Sequence, residues 1–252
     1  MGRGNMHLRS LAVAVALVAS LAIGGVVLAA GGTLNIGAPW GPANQDPTDP
    51  HRVVVTYTLK ATGRVPIEAV AAVEAGVQAW IDAIDGRESS WDFDIVPFSD
   101  SNLPSGISRG NPILACHSRG NDSKGCGTPP PSNGDDKPDI VIQLKKGGGL
   151  IAGSAQSTFD NGFRVHVKIQ ISGGAFGLAN DAATITEVTM HEFGHALALG
   201  HHSNQLDLMG TTVGYEGGGP SACDLDGFEE SHHWLTELDT TPHTNHDSSV
   251  TC

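Results

Sequence analysis

Positive charge is what this sequence has least of: 14 Lys and Arg stand against 27 Asp and Glu, leaving a formal net charge of −13 and a pI near 5.2. Binding phosphates needs a basic stripe that so few cations do not provide, so no nucleic-acid partner is expected. The acidity reads instead as a solvated surface that keeps the chain soluble. Internal repeats are absent too, and no appended domain is expected beyond the tail. With 39% hydrophobic residues, the 252 residues allow one domain of some 200 residues around a core once the ends are set aside.

Residues 1–30 read as a targeting segment: Arg3, His7 and Arg9 precede an apolar run over 11–28, and the small residues Ala29 and Ala30 follow. Val27 and Ala29 fit a small-x-small cleavage site. The length of the run leaves an uncleaved anchor as the alternative, and only in that case would the protein engage a membrane. Either way a secreted, extracellular location is expected. Export favours disulfides, and four cysteines allow three pairings. Loop closure favours Cys116 with Cys126 across a short polar loop, which leaves Cys223 to hold Cys252 in the tail.

Residues 31–50 are rich in Gly, Pro, Asn and Asp without a period and are expected as a linker. The domain proper is expected over 51–240, with a C-terminal tail over 241–252. Val53, Val55, Tyr57 and Leu59 alternate with Val54, Thr56 and Thr58, a strand over 52–59. Pro66 opens a helix whose apolar positions Val70, Val73, Val77, Trp80 and Ile84 step by three and four. Further strands are expected over 91–96, 139–144, 151–158 at an edge, and 164–172, with a long loop over 99–138. On that last strand Val165, Val167, Ile169 and Ile171 form the core-facing set, and His166 faces away from it. Ser221 and Asp224 fit a capping box for a helix over 221–238, with Leu225, Phe228, His232 and Leu235 on its stripe. Neither His232 nor His233 belongs to a metal pattern.

The chemistry concentrates in residues 184–209, TITEVTMHEFGHALALGHHSNQLDLM. Thr184 and Glu187 fit a capping box, and Ile185, Val188, Phe193, Ala196, Leu197 and Leu199 supply the apolar surface of a buried helix. His191 and His195 stand at i and i+4, roughly 5 to 6 Å apart at Cβ, near enough to share one tetrahedral ion. Glu192 projects about 100° further round, which suits a base beside a metal and not a third ligand. On a continued helix neither His201 nor His202 could reach that ion. The helix must therefore break first; Gly200 can take a left-handed turn without steric cost, and His201 becomes the expected third ligand.

HEFGHALALGH resembles the metzincin zinc-peptidase signature HExxHxxGxxH, followed by a Met-turn. HEFGHAL and the Leu208, Met209 pair resemble matrixins in particular. The resemblance implies an α+β fold, the metzincin-like (zincin) domain: a mixed, mostly parallel twisted sheet, an active-site helix, a Met-turn and a C-terminal helix. It implies His191, His195 and His201 as ligands of one catalytic Zn2+, Glu192 as general base, and Met209 as the Met-turn residue under the metal. Where the family has its first Gly this chain has Ala198, and a left-handed Ala costs roughly 1 to 2 kcal/mol. The turn is then expected to shift toward Gly200, with His202 left open as the alternative third ligand. In matrixins the segment after the Met-turn walls the main specificity pocket, here residues 210–219. Gly214, Gly217, Gly218 and Gly219 give that wall little bulk, so Tyr215 is read as its substrate-pocket residue, beside a preference for medium or large apolar side chains just after the cleaved bond. Thr211 occupies the place where the astacin branch carries a tyrosine ligand. KGCGTPP, around Cys126, is similar to the prodomain cysteine of latent matrixins but follows the first strand and helix, which favours the disulfide reading.

These residues point to a secreted zinc endopeptidase acting on protein or peptide substrates, with a monomer as the expected state. Calcium is allowed by the resemblance but not derivable from any cluster here. Two rivals stay open. An exported metal-binding surface or adhesion module would keep the metal without turnover, against which the intact Glu192 argues. A peptidase taking its third ligand from Glu216 would need a glutamate on rigid support, and Glu216 sits among glycines.

Overall fold

The computed structural model describes residues 31–62, 65–87, 89–98, 116–117, 138–145, 152–172, 181–237 and 249–252. In chain order the elements are β1 (Thr33–Ile36), β2 (Gln45–Asp46), β3 (Asp49–Thr62), α1 (Ile67–Asp85), β4 (Asp92–Pro97), β5 (Cys116–His117), β6 (Ile140–Lys145), β7 (Gly153–Asp160), β8 (Phe163–Ser172), α2 (Ala182–Ala196), β9 (Leu199–His202), α3 (Ala222–Ser231), α4 (Trp234–Glu237) and β10 (Ser249–Thr251).

The main sheet runs β2-β3-β6-β8-β7, with β4 and β5 also paired to β3. Strand β3 is long enough to take β4 along its first half and β6 along its second, both parallel. Strand β8 is parallel to β6, and the edge strand β7 is antiparallel to β8. The expected mixed, mostly parallel sheet is therefore present. Its apolar residues, among them Val53, Val55, Ile140, Ile142, Val167 and Ile169, join one core with α1 and α2. Small residues on α1 let the two helices approach closely: a Cβ at Gly76 would lie 2.8 Å from the Thr186 carbonyl oxygen. The Trp80 indole donates to the Met190 carbonyl at 2.8 Å, fixing α2 one residue before its first imidazole. Among the described residues no helix is long and apolar enough to cross a membrane.

Several boundaries differ from the sequence reading. Residues 31–50 are no linker. Thr33–Ile36 alternates exposed and buried, Leu34 and Trp40 are fully buried, and β1 is the middle strand of a second sheet, β10-β1-β9. Burying that arm brings apolar side chains and its backbone donors to the core, which a free linker would leave in water. The far end of the expected tail is likewise built in, since Ser249–Thr251 pairs with β1. The C-terminal helix keeps its Ser221–Asp224 capping box but ends at Ser231, and a short second helix follows at Trp234–Glu237. His232, read as unremarkable, is fully buried at that break. Cys223 and Cys252 lie with Cα atoms 5.6 Å apart, a separation suited to a bridge. Residues 1–30 and the proposed partner Cys126 lie outside the described residues.

Candidate metal centre

Helix α2 starts three residues earlier than expected. Its N-cap is Asp181, whose side chain accepts from the Ala183 and Thr184 amides, so the Thr184–Glu187 capping box does not form. The helix then places His191 and His195 on one face with ring centroids 4.7 Å apart. It ends at Ala196, and the chain turns at Ala198, whose φ is 77°. The left-handed residue is thus Ala198 itself and not Gly200. Gly200 lies within β9, where a Cβ would stand 2.8 Å from that of Asn35 on β1, so the glycine serves close strand approach.

The turn sends β9 back past the helix and brings His201 over the pair, its ring centroid 5.5 Å from that of His191 and 4.9 Å from that of His195. One nitrogen from each of His191, His195 and His201 lies within 4.8 Å of the others. Two rings are oriented by the backbone: His191 Nδ1 contacts the Leu208 carbonyl at 2.7 Å and His195 Nδ1 the Leu199 carbonyl at 2.8 Å. An Nδ1–H donated to a carbonyl leaves Nε2 as a lone-pair donor, the tautomer a metal needs. Burial lowers the pKa of His191 and pushes that of His195 down to about 3, so both rings are neutral at neutral pH. Three imidazoles converging from a helix and a strand, with His201 exposed, fit a tetrahedral ion with one position open to solvent.

His202 does not join them. It is 3% exposed, and its Nδ1 accepts from the Asn204 amide at 3.0 Å. One of its ring nitrogens lies within 4.8 Å of the Cys223 and Cys252 sulfurs, away from the three clustered imidazoles.

Glu192 is 6% exposed, and its Oε2 has no hydrogen-bond partner among the described residues. Burial pushes its pKa up to about 7. Strand β7 makes room for it: a Cβ at Gly153 would stand 2.6 Å from the Glu192 Cγ and Oε1. Met209 is fully buried, and a Cβ at Gly194 would come 2.5 Å from its sulfur, so the methionine packs against α2 between its two imidazoles. The Met209 carbonyl accepts from the His202 amide at 2.8 Å, tying this turn to β9. Tyr215 is half-buried beyond the turn, its hydroxyl donating to the Gly219 carbonyl at 2.7 Å. Its pKa is pushed up to about 12, by burial first and then by the Asp224 and Asp207 carboxylates.

Two supports are absent from the sequence reading. Arg164, in a strand whose alternation puts Val165 inward, is itself 5% exposed while Val165 is half-buried, because the β7–β8 register shifts at Thr158 and Phe159. Its guanidinium donates to the His195 carbonyl at 2.6 Å, to Ser157 Oγ at 2.5 Å and to the Ala38 carbonyl at 3.2 Å. Burial lowers its pKa to about 9, which leaves it a cation at neutral pH at the negative end of the α2 dipole. Trp40, from the supposed linker, donates its indole N–H to the Ala196 carbonyl at 2.9 Å. The end of the helix that carries His195 is thus held from two sides.

No family model matches the chain, and no match is found among curated proteins. Among solved structures, the chain is similar to archaemetzincin from Methanopyrus kandleri, with 13% identity and a TM-score of 0.40 over 71% of this chain and 96% of that one. It is also similar to metalloproteinase-II from Bacteroides fragilis, with 14% identity and a TM-score of 0.40 over 77% of this chain and 56% of that one. At such values the functional reading rests on the site itself.

Proposed function

We propose that the chain is a secreted zinc-dependent endopeptidase of the metzincin-like kind, matrixin-type in its helix motif. The observation that carries this is the meeting of three imidazoles, His191, His195 and His201, beside a buried carboxylate, Glu192, that has no other described partner at Oε2. His191, His195 and His201 would hold one Zn2+. Zinc in a three-imidazole site supplies a Lewis acid for a carbonyl and lowers the pKa of a water in its open position.

The remaining work falls to the chain's own groups. Glu192 stands where it can take the proton of the attacking water and return it to the leaving amine, so that hydroxyl adds to the carbonyl carbon as the C–N bond breaks. A nearby cation would draw its raised pKa back toward the ionised, proton-accepting form. Strand β7 is the sheet edge beside Glu192, and an extended peptide added there would present its carbonyl to the site through main-chain hydrogen bonds. Met209 serves as the Met-turn residue supporting α2. Tyr215 lines the side-chain pocket with its ring, since its hydroxyl is engaged with Gly219. We also propose that Cys223 and Cys252 form a disulfide, as export and their proximity favour.

Chelation and reconstitution test the reading. Removing metal should abolish cleavage of an unstructured peptide, and one equivalent of zinc should restore it. His201→Ala should lose most of the zinc while His202→Ala retains it. Full occupancy in the first variant with loss in the second would reverse the ligand assignment.

A further inference from the structure

We propose that Glu187 is a specificity-determining positioning residue, which ties the glycine-rich wall 210–219 to the metal-binding helix and so sets the shape of the substrate side-chain pocket. The proposal rests on the peptidase reading above for its consequence, though not for its geometry.

Glu187 lies one helical turn before His191 on α2, on the same face. A carboxylate there could be an ordinary solvated side chain. Instead its Oε1 accepts two successive backbone amides of the wall, Gly214 at 2.5 Å and Tyr215 at 2.8 Å. Paired N–H groups on one carboxylate oxygen fix direction as well as distance.

Apart from the Tyr215 ring, which packs against the core, the wall has little else to hold it at that point. Gly214 sits at φ 135°, and a Cβ on Gly214, Gly218 or Gly219 would meet nothing within 4 Å. The near half of the segment is anchored within its own turn, where Gln205 accepts from the Thr211 amide at 3.0 Å and from the Thr212 hydroxyl at 3.2 Å. In the far half, the Tyr215 hydroxyl closes the loop onto Gly219, again a contact within the segment. Among the described hydrogen bonds of 210–219, those to Glu187 are the ones that reach α2. The polar link between the wall and the helix that carries the imidazoles therefore runs through this carboxylate. Releasing it would let a glycine-rich backbone move away from the helix, widening the pocket without touching a ligand.

The test uses zinc-loaded protein and the variants Glu187→Ala and Glu187→Gln, with three readouts. Zinc content should stay at wild-type level in both. Amide hydrogen exchange at Gly214 and Tyr215 should speed up at least about tenfold in Glu187→Ala, the scale of losing two hydrogen bonds to one acceptor, with Glu187→Gln in between. On a peptide library varied just after the cleaved bond, the ratio of kcat/KM between the best and the poorest apolar side chains should fall by roughly tenfold in Glu187→Ala and less in Glu187→Gln. Unchanged exchange at both amides, or a uniform loss of kcat/KM with the ratio intact, would overturn the proposal. Faster exchange in variants of a protein that cleaves no peptide would keep the clamp and remove the peptidase reading, so the two can fail separately.

Discussion

Ala198 is where a single residue carries most of the local strain. At φ 77° its Cβ crowds the backbone at a cost of roughly 1 to 2 kcal/mol, a strain that persists because surrounding contacts fix the turn. The Ala198 carbonyl accepts from the Gly37 amide at 2.6 Å, and the residue is fully buried. Ala198→Gly should stay within about 1 kcal/mol of wild type, since relief of strain is offset by the lost methyl and by a freer unfolded chain. Ala198→Val should cost more than about 2 kcal/mol, because a β-branched residue tolerates positive φ least. Thermal unfolding decides between them, and a Val variant as stable as the parent would place the turn elsewhere.

His232 makes a second residue-scale prediction. It is fully buried, with Nε2 accepting from the Trp40 amide at 3.3 Å and Nδ1–H donating to the Phe228 carbonyl at 3.0 Å. Burial pushes its pKa from 6.5 down to about 3. Between those values the unfolded chain binds a proton that the folded one refuses, so stability falls as pH falls, by up to about 1.4 kcal/mol per pH unit. His232→Leu should lose stability at every pH but show a shallower decline through this window. Denaturant titrations at pH 6 and pH 4.5 measure the difference; parallel slopes would mean that His232 is not what titrates.

At the scale of elements, the N-terminal arm behaves as part of the metal helix's mounting. Trp40→Phe keeps most of the buried ring but leaves the Ala196 carbonyl without its indole donor, at an expected cost of about 1 to 2 kcal/mol. Faster zinc loss to a chelator should accompany it, and unchanged release would confine Trp40 to the core. Strands β3, β6 and β8 were legible because each runs long enough for a period of two to repeat, and α1 because its apolar stripe recurs along a helix of 19 residues. The arm was not: Thr33–Ile36 shows only two alternations, and the burial of Trp40 is set by Ala196 and Trp234, 156 and 194 residues away. The sequence puts the start of α2 at Thr184, but Asp181 is an equally good cap and is the one used. The choice fell to Asp181 while Glu187 was drawn to the Gly214 and Tyr215 amides, a tertiary contact no local pattern encodes. The three histidines could be read because their spacing around a breakable helix end leaves little choice. Arg164 could not, because the β7–β8 register skips Val165, which turns Arg164 inward.

At the scale of the whole molecule, both described ends of the chain converge on the site. Strand β1 lies between β10 and β9, and β9 carries His201, so the last residues brace the third imidazole through two strand pairings. A Cys223–Cys252 bridge would lock this arrangement across a separation of 29 residues. Cys252→Ser should then lower unfolding free energy by roughly 3 to 4 kcal/mol on the loop-entropy scale. Peptide mapping without reduction checks the bridge directly, and free thiols at both positions would refute it.

The central claim is that one buried carboxylate moves protons beside a metal held by three imidazoles. Zinc content and peptide cleavage measured side by side on wild type and Glu192→Gln test it most directly. The account predicts one zinc per chain in both proteins, with turnover lower by about two to four orders of magnitude in the variant. Equal turnover in the two proteins, or a variant that loses its zinc along with its activity, would contradict the separation of ligand from base.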